Sequence, residues 1–124
     1  MLKIAPDLTE EQLQDIAEII ENTKIAGLIS SNTTISREYL STSKIEVEAI
    51  GAGGVSGAPL LESSNEILKS ISSKINTPII GVGGIVQPKD ALTKFENGAD
   101  MVQIYSGFVY SGPSLVKGIL KELM

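Results

Sequence analysis

The sequence predicts an α/β fold of four βα units with parallel strands, half of a TIM (β/α)8 barrel. Three observations predict it. Short apolar runs alternate four times with segments of helical periodicity, and no linker separates the copies. The apolar runs are continuous rather than alternating, as in parallel strands buried on both faces. The polar and glycine-rich segments fall at the carboxyl ends of those runs, where barrels place their ligands. A full barrel needs about 250 residues, so four units in 124 residues make one half, a single domain over 1–124. The first strand starts at residue 2, as expected of a chain that begins inside a larger domain. The competing architecture is a flat, doubly wound sheet with helices on both faces. The half-barrel instead puts four helices on one outer side.

The elements follow in order. The first strand is Leu2 to Ala5, ended by Pro6-Asp7. Thr9 and Gln12 fit a capping box for a helix to about Lys24, with Leu13, Ile16, Ala17 and Ile20 on one face. The second strand is Ala26 to Ser30, followed by a long polar loop from Ser31 to about Leu60. Ser63 and Glu66 fit another capping box, for a helix to about Lys74 whose apolar face is Ile67, Leu68 and Ile71. The third strand is Pro78 to Val82, broken by Gly83-Gly84. A helix from about Pro88 to Glu96 stops at Asn97-Gly98. The fourth strand is Asp100 to Tyr105. A turn covers Ser106 to Gly112, and Pro113 opens a last helix.

Composition narrows the chemistry. There is no Cys and no His, which excludes disulfides, thiolate nucleophiles, His-based triads and most catalytic zinc sites. No metal site is expected. Fifteen acidic residues against ten basic ones leave a net charge of −5, unsuited to nucleic acid or an anionic membrane. No apolar run reaches the roughly 18 residues that span a bilayer. The N-terminus lacks a signal-peptide apolar region, so the chain reads as cytoplasmic or bound to a larger cytosolic body.

Five features could carry function. Gly81-Val82-Gly83-Gly84 ends the third strand. Taken alone it serves equally as a tight strand-to-helix turn or as a backbone cradle for a phosphate. Tyr105-Ser106-Gly107 ends the neighbouring fourth strand and adds donors, and barrels often bind phosphate after their last two strands. The third glycine of a dinucleotide fingerprint is absent. Ser31-Asn32-Thr33-Thr34 follows the second strand. It suits a planar polar ligand, although a plain polar turn explains it too. Lys3 lies in the first strand, either beside an anion or in solvent on an edge. Gly51 to Gly57 places four glycines in the long loop, a backbone able to wrap a ligand.

Five segments occur together and in order: Lys3-Ile4-Ala5-Pro6-Asp7-Leu8, Ser31-Asn32-Thr33-Thr34, Gly53-Gly54-Val55-Ser56-Gly57 with Pro59-Leu60, Ile80-Gly81-Val82-Gly83-Gly84, and Val102-Gln103-Ile104-Tyr105-Ser106. This order resembles the C-terminal half of the dihydroorotate dehydrogenases. Lys3 to Leu8 is similar to the quinone-dependent, membrane-associated class. The resemblance implies FMN as cofactor. It implies that Lys3 contacts the flavin, where a cation near the pyrimidine edge tunes the ring. It implies that Ser31 lines the flavin, where many relatives carry Thr. Ser56 and Gly57 approach the cofactor through their backbone, and Gly83, Gly84, Tyr105 and Ser106 hold its phosphate. A side chain at Gly84 would then fill the space the phosphate needs. Asn32 and Thr33 hydrogen-bond dihydroorotate or orotate.

The same resemblance implies oxidation of dihydroorotate to orotate with a quinone as acceptor, in pyrimidine (UMP) biosynthesis. It also implies that the N-terminal half-barrel is missing, and with it the catalytic base and the quinone tunnel. No catalytic residue is assigned. The parent enzyme is expected to be peripheral on the inner membrane. The other readings are a non-catalytic FMN- or phosphate-binding half-barrel, as a split-enzyme subunit or gene fragment, and a different phosphate-binding barrel. Lys3 with Asn32-Thr33 argues against the last. An isolated half-barrel is expected to associate through its two unpaired edges and its exposed inner face.

Overall fold

A computed structural model describes residues 1–124. Four parallel strands stand in the order β1-β2-β3-β4: β1 (Leu2–Ile4), β2 (Leu28–Ser30), β3 (Ile79–Val82) and β4 (Met101–Gln103). The register pairs Lys3 with Ile29, Ile29 with Ile80, and Ile80 with Met101. Side chains alternate along a strand, so this register divides the sheet into two faces.

One face carries Leu2, Ile4, Leu28, Ser30, Ile79, Gly81 and Val102. Helices α1 (Glu10–Asn22), α3 (Leu61–Ser72), α4 (Pro88–Glu96) and α6 (Pro113–Leu123) cover it. Ile4, Leu28 and Ile79 join Leu13, Ala17, Ile20, Leu68 and Ile71 in the main core. Val102 packs on a second cluster of Ile85, Ala91, Leu115 and Ile119. Glu10 ties α1 to the end of α3. Its carboxylate lies 2.6 Å from Lys74 Nζ and accepts from Ser70 Oγ at 2.9 Å, and these bonds hold it below the usual carboxylate range.

The opposite face carries Lys3, Ile29, Ile80, Met101 and Gln103, and no helix covers it; Met101 is 57% exposed. A doubly wound sheet would bury both faces, so this is the half-barrel. No helix is long and apolar enough to cross a membrane.

The boundaries differ from the sequence reading where local hydrogen bonds outweigh pattern. β4 starts after Asp100, because that residue closes the sheet edge instead. Its carboxylate accepts the Ile79 amide and its own amide donates to the Ile79 carbonyl, both at 2.8 Å. The Ser63–Glu66 capping box does not form. A 3-10 turn at Ala58–Leu60 runs straight into α3 at Leu61, so Ser63 lies inside the helix and its hydroxyl donates back to the Leu60 carbonyl.

The long polar loop holds a helix, α2 (Lys44–Ile50), opened by a capping box of Ser43 and Glu46. It buries no residue, so it shows no apolar stripe to read. The expected turn Ser106 to Gly112 is a short helix, α5 (Ser106–Ser111), and Gly112 at φ +56° separates it from α6. Six helices are therefore present, of which four cover the sheet.

The open face and the free edges of β1 and β4 set a first prediction. At micromolar concentration the chain sediments as a dimer or larger species, and Ile80→Lys, which charges the open face, shifts it toward monomer. A well-folded, unsubstituted monomer would contradict this account of the uncovered face.

Candidate functional site

The carboxyl ends of all four strands open into one cavity of about 260 Å³ lined by 16 residues. All ten residues expected from the sequence border it. Lys3 comes from β1, and Ser31, Asn32 and Thr33 follow β2. Ser56 and Gly57 come from the long loop. Gly83 and Gly84 follow β3, and Tyr105 and Ser106 follow β4. Lys3 is the only charged residue of the lining.

Backbone bonds fix the segment after β2 from both sides. The Ser31 amide donates to the Val82 carbonyl at 3.0 Å, and the Asn32 amide to the Ile4 carbonyl at 2.7 Å. Ser31 is buried, whereas Asn32 and Thr33 are exposed. The loop returns through an antiparallel bridge between Thr34 and Val55. Next to it, Gly54 packs so closely on Thr33 that a Cβ there would collide with the threonine side chain. The Ser106 hydroxyl then donates to Ser56 Oγ at 2.9 Å, linking the loop to the end of β4.

The turn after β3 is the most specific element. The amides of Gly83, Gly84 and Ile85 donate to no group of the chain, although Gly84 and Ile85 are buried. Amides of buried residues are nearly always paired, so the free pair at Gly84 and Ile85, beside the free Gly83 amide, marks a place prepared for an acceptor. The next two amides, of Val86 and Gln87, are not free: Asp90 Oδ2 accepts both at 2.9 Å. The free donors thus end where an internal carboxylate begins.

The structure corrects the role expected for Gly84. At φ +76° a Cβ on Gly84 would strike the Leu61 backbone at the start of α3, not the cavity. Its missing side chain allows the turn to approach α3. Gly57, at φ +80°, is open, with Ser106 Cβ nearest at 3.8 Å from such a Cβ. Tyr105 is 77% exposed, so its phenol does not close the site.

Six lining residues lie outside those ten, among them Gln103, Ile85 and Gly107, the last read from the sequence only as part of the Tyr105-Ser106-Gly107 turn. Gln103 shares the open face with Lys3, and its signal was a lone polar side chain in an apolar strand. Ile85 reads as core, and its side chain is in the core; only its amide is free. Gly107 allows the β4 turn to press on the Ile85 carbonyl, a contact that no spacing reveals.

Fold and cavity together define the class: a βα-barrel protein whose ligand site lies at the carboxyl ends of its strands. The sequence matches the family "Dihydroorotate dehydrogenase" over residues 1–124, and the chain belongs to that family. A dihydroorotate dehydrogenase (quinone) of Christiangramia forsetii is 54% identical over 127 residues, covering 100% of this chain and 36% of the relative. The protein of the same name from Shewanella sp. strain ANA-3 is 48% identical, covering 97% of this chain and 35% of the relative. The crystal structure of Eimeria tenella DHODH in complex with ferulenol superposes with a TM-score of 0.87 at 37% identity, over 98% of this chain and 32% of that one. The chain therefore spans about a third of the length of these relatives.

The two glycines give a second prediction. Both have positive φ, so their difference isolates the collision with Leu61. Gly84→Ala costs about 3 kcal/mol or more and Gly57→Ala about 1 kcal/mol, read from urea unfolding. Equal costs would mean that α3 yields freely.

Proposed function

We propose that this chain is the FMN- and substrate-binding part of a dihydroorotate dehydrogenase, which oxidises dihydroorotate to orotate with a quinone as final acceptor in pyrimidine biosynthesis. The observation that carries this reading is the single cavity that gathers Lys3, Asn32, the Ser56-Gly57 segment and three free amides of the β3 turn. The residues fit a phosphate-bearing flavin. Orphaned amides suit a phosphate, and the cavity brings them one cation and several neutral donors.

Gly83 and Gly84 bind the FMN phosphate through their amides, with Ser106 and the Tyr105 backbone beside them. Lys3 sits at the flavin ring with Ser31, and the exposed Asn32 and Thr33 take the polar edge of dihydroorotate. Bound FMN supplies the acceptor for the hydride that leaves dihydroorotate. Lys3 and Tyr105 are the only titratable side chains of the lining. By resemblance to the family, the base comes from the N-terminal half-barrel, which also carries the route to the quinone and the attachment to the inner membrane.

The chain's span of about a third of its relatives supports a second reading as well: alone, the chain is a non-catalytic FMN-binding half-barrel.

Mixing the chain with FMN and dihydroorotate tests both statements. Flavin fluorescence is quenched by binding, but dihydroorotate does not bleach the flavin until an N-terminal half is supplied. Bleaching by the chain alone would show that its own residues suffice. In the complemented barrel, Asn32→Ala leaves FMN affinity unchanged and raises the dihydroorotate requirement about tenfold or more, since a lost partner leaves substrate polar atoms unpaired at roughly 1–3 kcal/mol. Release of FMN by this variant would overturn the division into substrate and cofactor sides.

A further inference from the structure

Lys94, on α4, lies outside the cavity lining and is wholly buried at 0% exposure. Burying an ammonium is costly unless something compensates it. Its only hydrogen-bond partner is Ser64 Oγ, at 2.5 Å, and no carboxylate forms an ion pair with it. Asp90, one turn earlier on α4, spends its carboxylate on the amides of Val86 and Gln87 and on the Gln87 side chain. Around Gly81 of β3, where the Lys94 stem packs, the nearest other groups are Leu68 of α3 and Ala99, both uncharged.

Ser64, also at 0% exposure, passes the contact on. Its hydroxyl faces two carbonyls, of Leu61 at 2.9 Å and of Gly83 at 3.1 Å. Lys94 can only donate, so it occupies the serine oxygen and leaves the hydroxyl proton for a carbonyl. The Gly83 carbonyl and the Gly84 amide belong to one planar trans peptide and point in opposite directions. A carbonyl held toward Ser64 therefore turns the Gly84 N–H away from α3, toward the cavity that Gly84 lines.

We propose that Lys94 and Ser64 are positioning residues for the anion site: they orient the Gly83-Gly84 peptide and place a fixed positive charge behind it. The proposal rests on the phosphate reading given above. A negative ligand on the cavity side adds counter-charge to that of Asp90, which forms no ion pair with Lys94. Desolvation pulls the lysine down to about 8, with Asp90 opposing the shift, so it remains largely charged at neutral pH.

Comparison of FMN with riboflavin, which lacks the phosphate, tests this in the 124-residue chain. Affinities are read by flavin fluorescence quenching. The unsubstituted chain binds FMN more tightly than riboflavin. Lys94→Met lowers FMN affinity about tenfold or more and leaves riboflavin affinity unchanged. Ser64→Ala does the same, and the double variant loses no more than either single one, as expected of one relay. Lys94→Gln, which keeps a donor without the charge, recovers part of the loss.

Retention of full FMN affinity in Lys94→Met overturns the proposal. So does parallel loss of FMN and riboflavin in both Lys94→Met and Ser64→Ala, which would make the pair merely structural. Equal affinity of the unsubstituted chain for the two flavins is a different failure: it overturns the phosphate reading itself, and this inference with it.

Discussion

The contact between the Gly83-Gly84 turn and the first turn of α3 governs the site. Gly84 approaches the Leu61 backbone more closely than any side chain permits, and Gly83 sits against Ser64. For this approach both glycines take positive φ, a conformation only glycine adopts cheaply. The same contact explains why α3 begins without a side-chain cap, since its N-terminus arrives by a 3-10 turn and packs on the glycines instead. It also leaves three consecutive amides unpaired beside the cavity. Those amides oppose folding until an acceptor arrives, and the aliphatic cores on the helix side must offset them.

The sheet adds a second constraint. Its register sends an almost wholly aliphatic row toward the helices and a mixed row, Lys3, Ile29, Ile80, Met101 and Gln103, toward the open side. The ligand groups at the strand ends are then an extension of that mixed row. The helices never compete with them for space, because they lie behind the sheet.

The βα alternation was legible because glycine and proline punctuate it and because α1, α4 and α6 bear strong local signals. The Thr9–Gln12 capping box forms as expected, and Pro88 and Pro113 open their helices. The convergence of the segments after β2, β3 and β4 was legible from strand ends, since parallel strands bring all their carboxyl ends to one side, whereas Lys3, Ser56 and Gly57 came from the family resemblance. Other features were not legible. Helix α2 buries nothing, and the short α5 buries only Gly107, so neither has a periodic apolar face. Ser63 and Glu66 matched a capping pattern that the preceding 3-10 turn overrides. Lys94 resembled any solvated helix lysine, because its buried partner Ser64 lies on another helix, 30 residues away. Spacing also showed that glycine was needed at position 84 without showing which neighbour required it.

The two-residue alternation along the strands has a consequence for how this chain can change in length. One residue inserted into β4 would exchange Val102 with its neighbours, sending an apolar side chain to the cavity and a polar one into the helix layer. Every strand is phase-locked in this way, and each helix on the sheet is locked by its own periodicity. The excursion between Thr34 and Val55 is different. It is tied at the neck by the Thr34–Val55 bridge, by Arg37 donating to the Gly53 carbonyl and by Asp7 accepting from Thr34 and the Ile35 amide, and α2 within it buries no side chain. Growth, shrinkage or the grafting of foreign sequence is therefore confined to that excursion. It sits beside the ligand cavity, so the most changeable part of the chain is also the part able to remodel what enters.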